Sequence, residues 1–523
     1  MEAEGRRTGF EPNDPEVTSR IRSHSLKVAG ALAAAVVVYL AVWLLGWLPH
    51  PEAGHAPEAL RHAAEVFVPP LWSVAPFVGL LLIIAVFPLI PAVSHWWHSN
   101  LNRFYVALGL SLVTLGYYGW LHPGGVEDHF LEGPASHAGW DTVWQVFSNA
   151  FFAEYVPFIV LLFSLYTISG GISVRGDLPA HPLINTVFLA LGGLAASFIG
   201  TTGAAMVLIR PILATNAERK YKVHTVLFFI FIVCNCGGLL LPIGDPPLFL
   251  GYLRGVPFTW TLRLWPYWLG VVGGLLLIYF VWDKIAYSKE PIGRVLLDEI
   301  RIRPIHITGR INLLLILGVV FSAALLVPGK PFLGTGFVPP LFFREAVMIL
   351  MVILSLRWTP PEARFWNRFD YHAILEVAAL FFGIFICMQA PIEILHAEGP
   401  RLGIDTPFGF FWATGALSSF LDNAPTYVVF FETAISLPVT GGAMLPLVGG
   451  RHILEIYLIA ISLGAVFMGA NTYIGNGPNF MVKSIAEQSG IKMPSFFGYM
   501  FYAAVILLPV WLVVSLTLRW AGA

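Results

Sequence analysis

Two aspartates, Asp245 and Asp422, are the sequence's strongest candidates for ion chemistry, because each lies inside a long apolar segment. A carboxylate at membrane depth is costly, and such residues commonly mark an ion or substrate path. One carboxylate can bind either Na⁺ or a proton, so it can exchange the two ions. For Asp245 a second interpretation is open, in which it caps the short helix that the following prolines begin.

Short polar residues accompany both aspartates, together with Gly and Pro that interrupt the apolar pattern. In each half of the chain, a polar tip (197–203 and 419–426) precedes an interrupted helix (235–247 and 469–479). Irregular backbone at membrane depth is tolerated only inside protein or beside a wet cavity, where its carbonyls and helix ends can hold ions. The predicted ion- or substrate-binding residues are Thr201, Thr202, Asn235, Asp245, Asp422, Asn423, Asn471, Thr472 and Asn476. Because Gly and Pro are common in membrane helices, the alternative for each interruption is a simple kink.

Two glutamates and two serines recur at the same offset between the halves of the chain. Glu154 and Glu376 are 222 residues apart, as are Ser197 and Ser419. The glutamates join the two aspartates as candidates for proton coupling, and the alternative is that they lie at the membrane interface. The serines are expected to pack helices closely or to hydrogen-bond to backbone.

The composition determines what kind of protein can carry these residues. Of the 523 residues, 57% are hydrophobic and only 12% are charged, whereas soluble domains have about 25% charged residues. The net charge of −1 and the three cysteines in apolar stretches predict no nucleic-acid partner, no disulfide framework and no zinc site. With no nucleotide-binding or metalloprotease motif, we expect no catalytic residues and no cofactor, and an ion gradient as the energy source.

Basic residues orient the segments, because Lys and Arg are enriched in cytoplasmic loops. Residues 1–26 contain several arginines and precede a first apolar span at 28–48, which predicts a cytoplasmic N-terminus. Segment 283–310 has six basic residues and is predicted to be cytoplasmic, whereas 122–149 has no Lys or Arg and is predicted to be external.

These orientations agree with each other only if 183–215 enters and leaves the membrane on the cytoplasmic side, as a re-entrant hairpin. The same reasoning makes 407–437 a hairpin that enters from the opposite face. The predicted fold is therefore an all-α polytopic membrane protein, an inverted-repeat transporter with two re-entrant hairpins and two broken helices.

The predicted organisation has six parts in chain order. They are a cytoplasmic tail (1–26), N-terminal transmembrane helices (27–149), transport repeat 1 (150–282), a solvated cytoplasmic linker (283–310), scaffold helices (311–371) and transport repeat 2 (372–523).

Three motifs resemble those of the ion-transporter superfamily: residues 418–426 (SSFLDNAPT), 242–246 (PIGDP) and 469–472 (GANT). Within it the sequence is most similar to the NhaD-like sodium:proton antiporters and the citrate transporter family, over roughly residues 70–520. The resemblance implies a scaffold part and a mobile transport part that moves like an elevator. It also implies a homodimer in the bacterial inner membrane, with small ions or carboxylates as the transported partners.

The hairpin tips depart from the family members that transport divalent anions. In those family members, the resemblance implies a Ser-Asn-Thr signature at both hairpin tips. The corresponding tips of this sequence read Gly200-Thr-Thr202 and Asp422-Asn-Ala424. Because Asp422 would repel an anion and can bind Na⁺ or a proton, the tips favour sodium:proton antiport over citrate or carboxylate transport. A channel or a structural membrane subunit is a third possibility, against which the paired hairpins argue, since a channel does not need two gates.

Overall fold

The computed structural model describes residues 15–46, 67–128, 130–131, 135–438, 441–447 and 450–521, and it is largely helical. The α-helices, in chain order, are Pro15–Leu44, Ala75–Val86, Pro91–Trp97, Asn100–Trp120, Trp140–Ser148, Val156–Ser169, Pro182–Ile199, Thr201–Thr215, Val223–Ile232, Pro246–Leu253, Trp265–Tyr287, Ile292–Ile300, Ile311–Leu325, Phe343–Trp358, Pro361–Trp366, His372–Cys387, Gln389–Glu398, Pro407–Ser418, Asn423–Ser436, Glu455–Met468, Gly477–Gln488 and Phe496–Ala521. Two antiparallel two-stranded ladders complete it, Ser173–Asp177 with Arg303–Thr308 and Met444–Pro446 with His452–Leu454.

The helices are those of a polytopic membrane protein, as predicted. Among the described residues, five helices are long and apolar enough to cross a bilayer, and the number rises to seven if each of two bent pairs counts as one span. The five single spans are Val17–Leu44, Trp140–Ser169, Pro182–Ile199, Phe258–Tyr287 and Phe496–Trp520. A helix satisfies its own backbone hydrogen bonds, which is what an apolar surrounding requires.

Both predicted hairpins are pairs of helices interrupted at a tip. The first hairpin consists of Pro182–Ile199 and Thr201–Thr215, which pack against each other and break at Gly200, where φ is +76°. The second hairpin consists of Pro407–Ser418 and Asn423–Ser436, with the break between them. Neither segment is one continuous helix. Their insertion from opposite membrane faces stays a prediction.

Both predicted broken helices are also present. The first broken helix runs as Val223–Ile232 and resumes as Pro246–Leu253, and the second runs as Glu455–Met468 and resumes as Gly477–Gln488. In each break, two glycines six residues apart lie backbone to backbone, Gly238 with Gly244 and Gly469 with Gly475. A side chain on Gly244 or Gly475 would collide with its partner's carbonyl, so the repeated spacing has a steric cause.

Three predicted boundaries differ from the structure. The first helix begins at Pro15, inside the predicted tail; residues 1–14 and the predicted end of the first span at residue 48 lie outside the described residues. The predicted loop 122–149 becomes helical at Trp140 and continues through a π-helical turn, Asn149–Tyr155. Hydropathy missed this start because buried polar side chains occupy it, such as Thr142, whose hydroxyl donates to the His137 carbonyl.

The predicted solvated linker is the third difference, because it is partly ordered and partly buried. It holds the helix Ile292–Ile300, called here the linker helix, and the strand Arg303–Thr308. The strand pairs with Ser173–Asp177, so the linker is fastened to the first half of the chain. The six-part division of the chain stays a prediction.

Candidate functional site

One buried carboxylate joins the hairpin tips to the helix breaks. Asp245, only 1% exposed, accepts hydrogen bonds at Oδ1 from Thr201 Oγ1 (3.1 Å) and Asn476 Nδ2 (3.2 Å). Its Oδ2 accepts a hydrogen bond from Asn423 Nδ2 at 2.7 Å. Thr201 and Asn423 belong to the first and second tips, and Asp245 and Asn476 to the first and second breaks. Each of the four irregular segments therefore contributes one side chain.

The two breaks position their polar residue in the same way. Asp245 and Asn476 each stand immediately before a resumed half-helix, in extended conformation (φ −143°, ψ 141° and φ −152°, ψ 139°). Proline follows in the first turn of both half-helices, where its missing N–H is not needed. Neither side chain caps its own helix. The capping alternative for Asp245 is therefore wrong, because its carboxylate faces the other three segments instead.

The tips are held differently from each other. In the first, the Thr201 backbone N–H donates to the Gly244 carbonyl at 2.9 Å, which ties the tip to the residue before Asp245. In the second, Asp422 caps its own helix, because its Oδ1 accepts from the Ala424 N–H at 3.1 Å. This cap fixes the turn that directs the next residue, Asn423, toward Asp245.

A second layer of buried amides lies beside Asp245. Asn235 Nδ2 donates to Asn479 Oδ1 at 2.8 Å, and Asn476 Nδ2 approaches Asn235 Oδ1 at 3.3 Å. Asn479 Nδ2 in turn donates to the carbonyls of Gly469 and Thr472, each at 2.9 Å. The sequence-based site omitted Asn479. The signal was its position three residues after Asn476, since residues three apart share a helix face.

Five predicted site residues do not hydrogen-bond to Asp245: Asn235 and Asp422, described above, and Thr202, Asn471 and Thr472. Asn471 donates to Ser419 Oγ at 2.9 Å and accepts from Trp511 Nε1 at 3.0 Å, while the Thr472 hydroxyl donates to the Ser419 carbonyl. Asn471 and Thr472 therefore fasten the second hairpin to the second break. Thr202 follows Thr201 in the first tip and is partly buried.

The repeated serines hydrogen-bond to backbone, as predicted. The Ser197 hydroxyl donates to the Gly237 carbonyl and accepts from the Leu240 N–H. The Ser419 hydroxyl donates to the Gly415 carbonyl of its own helix and, at 3.2 Å, to the carbonyl of Met468, the last residue before the second break. Each serine attaches one hairpin arm to the neighbouring irregular backbone.

The two repeated glutamates face arginines. Glu154 Oε1 lies 2.9 Å from Arg254, which also contacts Glu432 of the second hairpin at 3.0 Å. Glu376 pairs with Arg103 at 2.9 Å. The coupling role of both glutamates stays a prediction.

The charges at the site nearly balance. The helices Thr201–Thr215, Pro246–Leu253, Asn423–Ser436 and Gly477–Gln488 all begin there, and each helix N-terminus is equivalent to roughly +0.5 elementary charge. Two aspartates offset that sum of about +2 when both are ionised. Within the part of the chain that the structure describes, no Lys or Arg hydrogen-bonds to Asp245, to its three donors or to the two amides beside them, Asn235 and Asn479.

The side-chain oxygen of Asn423, Oδ1, is a potential ligand atom at the site that has no hydrogen-bond partner among the described residues. Asn423 is only 1% exposed. Buried polar atoms are normally paired. An amide oxygen beside a carboxylate is suited to a small hard cation.

Comparison with known proteins assigns the chain to a family. Residues 67–518, most of the chain, match the family described as "Putative citrate transport". No curated protein matches the sequence. The matched range contains both hairpins and both broken helices.

Proposed function

Because the chain belongs to the family described as "Putative citrate transport", a family of transporters, we propose that it is a sodium:proton antiporter that works by alternating access. The observation that carries this proposal is the convergence of Thr201, Asn423 and Asn476 on the carboxylate of Asp245. The donors come from both tips and from the opposite break, so a movement of these segments would carry the whole site.

Competition for carboxylate oxygen provides the exchange. Na⁺ and a proton both bind Asp245 or its neighbour Asp422, but one oxygen atom cannot hold both ions at once. Na⁺ entering next to Asn423 Oδ1 gains the amide oxygen as a ligand, and it expels the proton by charge repulsion. When the site faces the other side of the membrane, the reverse exchange releases Na⁺.

The hairpins and the broken helices would move together. Ser197 and Thr201 bind the first break, and Ser419 binds the residues around the second break. These contacts make the four segments one unit that can move against the remaining helices without losing its ligands. This is the elevator-like movement that the family resemblance implies, and it requires no rearrangement inside the site.

Carboxylate transport is the second candidate, and the four helix N-termini at the site favour it. Helix N-termini bind anions well. However, the positive partial charge of about +2 is already offset by Asp245 and Asp422 when they are ionised. A trivalent anion such as citrate would have to bind without a hydrogen-bonding Lys or Arg, which makes the cation the better substrate.

A transport assay on the purified full-length protein tests the proposal. Proteoliposomes with an imposed pH gradient and an internal pH-sensitive dye receive sodium, lithium or potassium chloride, or potassium citrate. We expect Na⁺ or Li⁺ to dissipate the proton gradient, and K⁺ and citrate to leave it unchanged relative to protein-free vesicles. Uptake of radiolabelled citrate, with a pH gradient that does not respond to Na⁺, would show carboxylate transport instead.

A further inference from the structure

Three acidic side chains meet at the linker between the two halves of the chain, away from the transport site. Asp177 ends the strand Ser173–Asp177, Glu218 follows the first hairpin, and Asp298 lies on the linker helix. One carboxylate oxygen from each lies within 4.8 Å of one from each of the other two. Three separate parts of the chain thus place like charges together, which is unfavourable unless something compensates them.

Each of these carboxylates retains an oxygen without a hydrogen bond. Asp298 is 5% exposed; its Oδ2 accepts from the Ala180 N–H at 2.8 Å, but its Oδ1 has no partner among the described residues. Asp177 Oδ1 and Glu218 Oε2 are likewise buried and unpaired there. Because buried polar atoms are normally paired, three unpaired carboxylate oxygens in one place indicate a missing positive ligand.

The neighbouring arginines only partly compensate the cluster. Arg301 contacts Glu218 at 3.2 Å, but its side chain is 63% exposed, so water screens its charge. Arg303 stands opposite Asp177 in the strand ladder. Burial, with the nearby charges of Glu218 and Asp298, still raises the pKa of Asp177 to about 6. Arg219 and His181 also lie near Asp298, but among the described residues no positive group hydrogen-bonds to the three unpaired oxygens. The negative charge between the three carboxylates is therefore only partly compensated.

We infer that Asp177, Glu218 and Asp298 form a binding site for a hard divalent cation such as Ca²⁺, Mg²⁺ or Mn²⁺. Ca²⁺ binds oxygen ligands at about 2.3–2.6 Å, so ligands on opposite sides of it are about 5 Å apart, which accommodates the observed spacing. Carboxylate oxygens are the ligands these ions prefer, and water would complete the coordination. The bound ion would clamp the linker helix to the strand and to the end of the first hairpin.

Direct binding of Mn²⁺ to the full-length protein in detergent tests the site. The loss of the free Mn²⁺ electron paramagnetic resonance signal measures binding, and saturating NaCl keeps the transport site occupied by Na⁺. We expect saturable binding of one Mn²⁺ per chain, displaced by Ca²⁺ or Mg²⁺. Asp298→Asn and Asp177→Asn should each weaken binding at least about tenfold. The matched control is Glu299→Gln, which changes the exposed neighbour on the same helix and should leave binding unchanged.

Two results would overturn the inference. One is the absence of saturable Mn²⁺ binding to the wild-type protein up to about 1 mM, the weak end of protein Ca²⁺ sites. The other is binding that neither aspartate variant weakens, which would place the ion elsewhere. If one variant fails to elute as a monodisperse species on size exclusion, the wild-type titration and the second variant still decide whether these carboxylates bind the ion. The Asp177 and Asp298 variants locate the bound ion whether or not Na⁺ occupies the transport site, so the outcome is independent of sodium:proton antiport.

Discussion

Asp245 Oδ2 and Asn423 Nδ2 lie 2.7 Å apart, although 178 residues separate them in the chain. The bond joins the first break to the second hairpin tip, so the two halves of the protein share one carboxylate. Such sharing is expected in inverted-repeat carriers, which bind their substrate where the repeats meet. It also means that a single substitution at Asp245 affects contacts of both halves.

Replacement of Asp245 by Asn should abolish cation-driven proton movement. Asp245→Asn keeps the size of the side chain but removes the charge that Na⁺ and the proton compete for. It also replaces one carboxylate oxygen, which accepted hydrogen bonds, by an NH₂ group that faces other hydrogen-bond donors. Dissipation of a pH gradient in proteoliposomes measures the loss. The exposed Asp405 provides the control, because Asp405→Asn makes the same chemical change outside the site and should transport at the wild-type rate.

Replacement of Asp422 by Asn separates capping from coupling. Asn is as good an N-cap as Asp, so Asp422→Asn should preserve the turn that positions Asn423. Membrane insertion and elution on size exclusion should therefore be normal, while Na⁺-dependent proton movement is lost. If Asp422→Asn transports at the wild-type rate with unchanged pH dependence, Asp422 is a cap only, and Asp245 becomes the coupling residue.

Sequence reasoning located the tips and breaks because their signals are local. Gly, Pro and short polar residues inside apolar segments, such as those around Gly200 and Gly244, interrupt helices wherever they occur. Counting basic residues then required a hairpin at each tip. Both hairpins and both broken helices appear in the structure within a few residues of the predicted limits.

The partners within the site could not be read from the sequence. Which side chain Asp245 meets depends on how the two halves pack, and no local pattern states that Asn423 reaches it while Asp422 turns back to cap its own helix. The spacing of Asn479 from Asn476 marks it as a candidate, but its partners could not be read for the same reason, because its amide bonds to Asn235 and to carbonyls of the break. The helical start at Trp140 was missed because hydropathy counts polar residues without regard to their hydrogen bonds.

Removal of the Asn479 side chain should destabilise the protein. Asn479→Ala leaves an N–H of Asn235 and the carbonyls of Gly469 and Thr472 without this partner. Each unpaired buried group costs about 1–3 kcal/mol, so the melting temperature in detergent should fall by several degrees. Gln488→Ala, at the exposed end of the same half-helix, serves as the control and should leave the melting temperature nearly unchanged. An unaltered melting temperature for Asn479→Ala would show that water replaces the lost bonds.

The pH dependence of stability should include a contribution from His122, just beyond the helix Asn100–Trp120. Burial lowers the pKa of His122, but the hydrogen bond (3.2 Å) and charge of Glu393, with the Gly124 carbonyl, outweigh it and raise the pKa overall. A group whose pKa is raised by folding stabilises the folded state fully when the pH is below the pKa of the unfolded state, about 6.5 for His. This stabilisation disappears as the pH rises through the pKa of the folded state.

The melting temperature of His122→Gln should therefore fall further below that of the wild type at about pH 5.5 than at about pH 8. Glu393→Gln should produce the same pattern. His95→Gln, which changes an exposed histidine, is the control and should lower the melting temperature equally little at both pH values. A difference that is equal at both pH values would mean that His122 stabilises the protein by packing alone.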